Sequence, residues 1–129
     1  MSRYLFHMAI RRQQEQQYAH LFRSLAHFLQ NSSGFPVSGV ARTGSRITGM
    51  HRDRSDLDVY FCISGDPLKE QVYPPLVEGL KKTLKVNADI GRSYNVINIW
   101  KEDINCDLVL YTEAQFKERK RTGQFIENL

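Results

Sequence analysis

Asp56 and Asp58, two apart in RSDLDVYF, are the residues of this chain best suited to chemistry. On a β-strand, residues two apart leave the same face, so these carboxylates would project side by side while Leu57, Val59 and Phe61 turn to the core. Like charges that close repel, and a cation between them keeps both ionised. Magnesium fits, because it prefers hard oxygen ligands, takes few from protein and fills its octahedron with water and phosphate oxygens. Manganese accepts the same donors. A third carboxylate, Asp107 in NCDLVLY, would join that face from a neighbouring strand, since Leu108 and Leu110 take the opposite one. Asp107 also reads as a turn residue closing KEDIN. Three carboxylates on rigid strands suit a two-metal site, in which in-line displacement at phosphorus is stabilised.

Gly44 and Ser45 would supply the other half of such a site. Without a Cβ, Gly44 lets backbone approach phosphate oxygens, and a helical turn starting at Ser45 would aim N–H groups at them. Arg46 is a further candidate phosphate contact, or a surface residue. Asp53 reads as a loop residue. An acidic-x-acidic triplet alone is a common strand-end feature, and a lone Gly-Ser is weaker still; it is their conjunction with Asp107 that points to a site.

The elements that must position these residues follow from periodicity. Tyr18, Leu21, Phe22, Leu25, Phe28 and Leu29 recur at helical spacing and predict a helix from about Gln13 to Gln30 within an N-terminal helical segment, residues 1–30. Gly34 and Pro36 stop it, and PVSGVAR reads as a short strand leading to the turn at Thr43-Gly44-Ser45. DLDVYFCI reads as a central strand, ended by Ser64-Gly65-Asp66-Pro67. A helix with Leu76, Val77, Leu80 and Leu84 as its apolar stripe follows, its front interrupted at Pro74-Pro75. Strands at Tyr94 to Trp100 and Cys106 to Tyr111 flank KEDIN, whose length suits an antiparallel hairpin. Thr112 caps a last helix through TEAQFKERKRTG, with Gly123 near its end. The order α-β-turn-β-α-β-β-α predicts one α+β domain over residues 1–129. Helices would back one face of a small mixed β-sheet, and the carboxylates would occupy the open face.

The pattern Gly44-Ser45, ten intervening residues, Asp56-Leu57-Asp58, and a later Asp107 in an apolar strand resembles the DNA polymerase beta-type nucleotidyltransferase superfamily. The signature of that superfamily is Gly followed by Gly or Ser, a spacer of such length, and two acidic residues around one apolar residue. GSRITG and RSDLDVYF are also similar to the minimal nucleotidyltransferases of bacteria and archaea, often partnered with a small helical protein. The resemblance spans Val37 to Tyr111, and TEAQFKERKRTGQF loosely resembles their closing helix. It implies a polymerase beta palm-like fold, with Asp56 and Asp58 binding two magnesium ions and Asp107 binding the one that activates the acceptor hydroxyl. Gly44 and Ser45 would hold the β and γ phosphates. The implied reaction moves a nucleoside monophosphate from a triphosphate, ATP by expectation, to a hydroxyl with pyrophosphate release. A hydroxyl on a protein partner is the first choice of acceptor, because so short a chain lacks a second substrate wall, and a small RNA end is the second. Residues 1–30 exceed what a minimal member needs, which leaves open a trimmed relative of larger polymerases, and the basic balance favours, as a further reading, a catalytic fragment of a larger polynucleotide or cyclic-oligonucleotide synthase. A non-catalytic, antitoxin-like binding module is the rival from another class.

Composition bounds these readings. A chain of 129 residues suits one core, and no apolar run approaches the roughly 20 residues that cross a bilayer. MSRYLFHMAI, soon cut by RRQQEQQ, lacks the form of a secretory signal, so a cytoplasmic protein with no membrane partner is expected. A net charge of +4 favours polyanionic ligands. The basic residues fall in short scattered groups, Lys81-Lys82 and Lys117 to Arg121 among them, each readable as a solvated face. Cys62 and Cys106 lack zinc spacing and read as small apolar residues. Register places them on opposite faces of the sheet. None of the histidines has ligand spacing, and His20 with His27 reads as one partly exposed helix face. Tyr94 and Trp100 read as core aromatics or as platforms for a base.

Overall fold

The computed structural model describes residues 3–43 and 57–127, with side chains from Arg12 onward. Three helices and six strands alternate along it. Helix α1, Arg3–Asn31, begins about ten residues before the expected Gln13, because no Gly or Pro interrupts its first half. Tyr18, Phe22, Leu25, Ala26, Phe28 and Leu29 are its buried stripe. It ends where the Ser33 hydroxyl donates to the Leu29 carbonyl at 2.7 Å and Gly34 adopts a φ of 82°.

Strand β1, Val37–Thr43, and strand β2, Leu57–Ile63, lie antiparallel. Helix α2, Lys69–Leu84, runs unbroken through Pro74 and Pro75. Both prolines sit on its exposed side, so the carbonyls of Glu70 and Gln71 that lose an N–H partner face water. Strand β3, Asn87–Ile90, was not anticipated from sequence. Strands β4, Ile97–Lys101, and β5, Ile104–Tyr111, form the expected hairpin, tightened to a turn in which Glu102 takes a φ of 54°. Tyr94, expected at the start of β4, instead sits in the preceding turn, with its ring stacked 6.4 Å from that of Tyr73. Helix α3, Glu113–Arg121, starts at Thr112 in a full capping box with Gln115. Strand β6, Phe125–Glu127, follows Gly123 and was also unanticipated.

The strands form one sheet in the order β3-β4-β5-β2-β1-β6. Among the described residues only β2 and β5 pair in parallel, so the sheet is mixed and the architecture α+β. Helices α1 and α2 pack on one face over Val40, Val59, Phe61, Ile97, Ile99 and Leu108. Where β4 no longer covers β5, the buried Tyr73 hydroxyl accepts from the Leu110 N–H at 3.0 Å. The opposite face is not wholly open, as the sequence reading had it. Helix α3 lies on it, and Phe116 packs with Ala41, Cys62 and Phe125. Gly39 permits this, since a Cβ there would stand 2.7 Å from the Phe116 ring. No helix among the described residues is long and apolar enough to cross a membrane.

Candidate functional site

Strands β2 and β5 are far apart in sequence, yet their parallel register sets Asp58 directly beside Asp107. Adjacent strands lie about 4.8 Å apart, and residues in lateral register project from the same face. Both aspartates are half-buried, while Leu57, Val59, Cys106 and Leu108 on either side of them turn into the core. The row continues outward. Asn98 on β4 lies opposite Asp107, and Asp89 on β3 lies opposite Asn98. Four polar side chains, Asp89, Asn98, Asp107 and Asp58, thus cross four strands on the face away from α1 and α2.

Toward α3 the row meets an aromatic wall. The Tyr60 ring lies 4.7 Å from that of Tyr111 and 5.0 Å from that of Phe125, and the Arg119 guanidinium sits 5.9 Å from the Tyr111 ring centroid. Burial, and then the negative charge of Asp58, push the Tyr60 phenol up to about 12. It therefore stays protonated near neutrality and serves as a hydrogen-bond donor.

Carboxylates on neighbouring rigid strands are hard oxygen donors of the kind a magnesium ion accepts. Among the described residues no group of three or more His, Cys, Asp or Glu side chains could hold a metal ion, and Asp58 and Asp107 supply two carboxylates in lateral register. Asp56, which the sequence reading joined to them, lies outside the described residues. So do Gly44, Ser45, Arg46 and Asp53.

Other residues singled out from sequence fall elsewhere. Cys62 faces Phe116 on the α3 side and Cys106 lies in the core on the other. Burial raises the Cys62 thiol, which lies 3.2 Å from the Ser38 hydroxyl. His20 lines a groove of about 480 Å³ between α1 and the β4–β5 hairpin. His27 lies 3.2 Å from the Asn31 amide and serves the helix end. Trp100 is 39% exposed on the carboxylate face, whereas Tyr94 packs against the core. The reading from sequence missed Asp89 and Asn98. Alternation in NADI and INIW was their signal, but strands that short carry little of it.

No known family model matches the chain, and no curated protein is significantly similar to it.

Proposed function

We propose that the protein is a magnesium-dependent nucleotidyltransferase of polymerase beta palm-like fold, moving a nucleoside monophosphate from ATP to a hydroxyl on a protein or RNA. The observation that carries this reading is the lateral pairing of Asp58 with Asp107 on two parallel strands anchored in the core. Catalysis of phosphoryl transfer rests on positioning and on charge stabilisation, and carboxylates on strands are held more rigidly than on loops. Asp56 precedes Asp58 by two residues in sequence and joins them in the proposed site.

Asp56, Asp58 and Asp107 would hold the magnesium, which when bound neutralises triphosphate charge and lowers the pKa of the acceptor hydroxyl. Gly44 and Ser45 bind the β and γ phosphates through backbone N–H groups, with Arg46 beside them. Tyr60, protonated beside Asp58 and hydrogen-bonded to the Tyr111 side chain, closes the edge of the row. The Tyr60, Tyr111 and Phe125 rings exclude water from that edge.

Calorimetric titration with ATP, in magnesium and in chelator, on wild type and on Gly44→Val, tests the binding half of this reading. Three carboxylates and a triphosphate repel without a cation, so binding should need magnesium. The valine side chain should weaken it by blocking backbone approach. Equal binding in all four titrations would place the nucleotide elsewhere.

A further inference from the structure

A second constellation lies where the carboxylate face turns over the edge strand β3 toward Lys81 of α2 on the other face. At the β3 edge a shallow groove of about 440 Å³ is lined by Lys81, Asn87, Asp89 and Trp100, with Val86 and Ala88 at its base. Trp100 is the sole tryptophan of the chain and is 39% exposed. Its lateral neighbours are Asn87 on β3 and Asn105 on β5, both exposed. The other large exposed apolar residues among those described, Leu68 and Ile126, lie beyond the far end of β2 and on the opposite edge strand. Trp100 is therefore an isolated π surface ringed by carboxamides, without the contiguous apolar patch that a protein partner would require.

We propose that this groove binds an unpaired nucleotide of a single-stranded RNA, with the base stacked on Trp100 and a phosphate on Lys81. Each part of a nucleotide finds its partner there. An aromatic face stacks any base, and an ammonium on a flexible stem pairs with a backbone phosphate. Lys81 is exposed, and its 4.0 Å approach to Glu78 is too loose to hold it.

The edge groups add a preference. The Asn87 amide nitrogen donates to the Trp100 carbonyl at 3.2 Å, which fixes the carboxamide and leaves its oxygen as an acceptor. One Asp89 oxygen accepts from the Ile90 N–H at 2.9 Å, leaving the other for a further donor. Two acceptors at the base edge favour the exocyclic amines of adenine, cytosine and guanine over uracil, which has none.

Strand β3 stands two strand spacings, about 10 Å, from Asp107, so an RNA held there is led toward the carboxylate pair. The inference deepens the proposed transfer by naming its acceptor as an RNA end, and it rests on that reading only for this last step.

The test uses the full chain in chelator, with no triphosphate, so that it is independent of transfer. Single-stranded oligo(A), oligo(C) and oligo(U) are titrated while Trp100 emission is read, and fluorescence anisotropy of labelled RNA follows the variants. Saturable quenching by oligo(A) and oligo(C), weaker with oligo(U), is expected. Trp100→Ala should weaken RNA binding roughly tenfold, with Trp100→Phe between it and wild type. Lys81→Ala should lower the salt dependence by about one phosphate contact. Absence of quenching by all three RNAs, equal RNA affinity of Trp100→Ala and wild type, or quenching only by an acidic peptide would each overturn the proposal. Quenching that persists in a protein releasing no pyrophosphate would sink the transferase reading and leave the RNA groove standing.

Discussion

Asp58 and Asp107 lie side by side on β2 and β5, the only parallel strand pair among the described residues, with buried apolar residues on both sides of each. Two like charges held on such rigid elements repel, and no rotation of the backbone separates them.

The first prediction follows from that repulsion. Asp58→Asn should cut transfer by about a hundredfold or more, the scale seen when one charge-stabilising group is removed. In chelator the same variant should melt at the wild-type temperature or above, since a repulsion has been relieved. Activity and thermal melting on one preparation check both halves.

Tyr60 reports on the same charge. Its phenol is raised from the ordinary 10 to about 12, by burial first and by Asp58 second. The folded state thus keeps a proton that the unfolded chain loses. This contribution to stability is complete below about pH 10 and is lost as the pH rises from 10 to 12. Asp58→Asn should lower the Tyr60 pKa while burial keeps it above 10, as read by tyrosine carbon NMR.

A third prediction concerns the seat of α3. A side chain at Gly39 meets the Phe116 ring, so Gly39→Val should destabilise the fold by about 1–3 kcal/mol in denaturant melts. Phe116→Leu in the same chain should recover part of that loss. Additive effects would show that the helix seats elsewhere.

Tyr73→Phe removes a hydroxyl that accepts from the Leu110 N–H at 3.0 Å and donates to the Asn95 carbonyl at 3.4 Å. It strands the Leu110 N–H in a buried position, which costs about 1–3 kcal/mol with little change in packing. Amide exchange at Leu110 should accelerate in the variant.

The central elements were legible because their residues repeat strongly. DLDVYFCI and NCDLVLY set carboxylates at the start of dense apolar runs, and Thr112 with Gln115 announces a capping box. The pairing of β2 with β5 was assumed rather than read, because α2, β3 and β4 intervene and nothing local specifies register between distant strands. Strands β3 and β6 escaped notice since NADI and FIE are too short for periodicity and owe their conformation to neighbours in the sheet. The face taken by α3 was equally hidden, as Phe116 is its one buried residue. Trp100 could be read as core or platform until its alternation with Ile97 and Ile99 set it on the carboxylate face.

The most direct measurement is label transfer from ATP carrying a radioactive α-phosphate, with magnesium and cell extract as the source of acceptor. Wild type, Asp58→Asn and Asp107→Asn are compared, and pyrophosphate is quantified alongside. Wild type should give a labelled macromolecule and one pyrophosphate per label, and either variant should lose nearly all of both. Undiminished labelling by either variant, or label transferred without pyrophosphate, would contradict it.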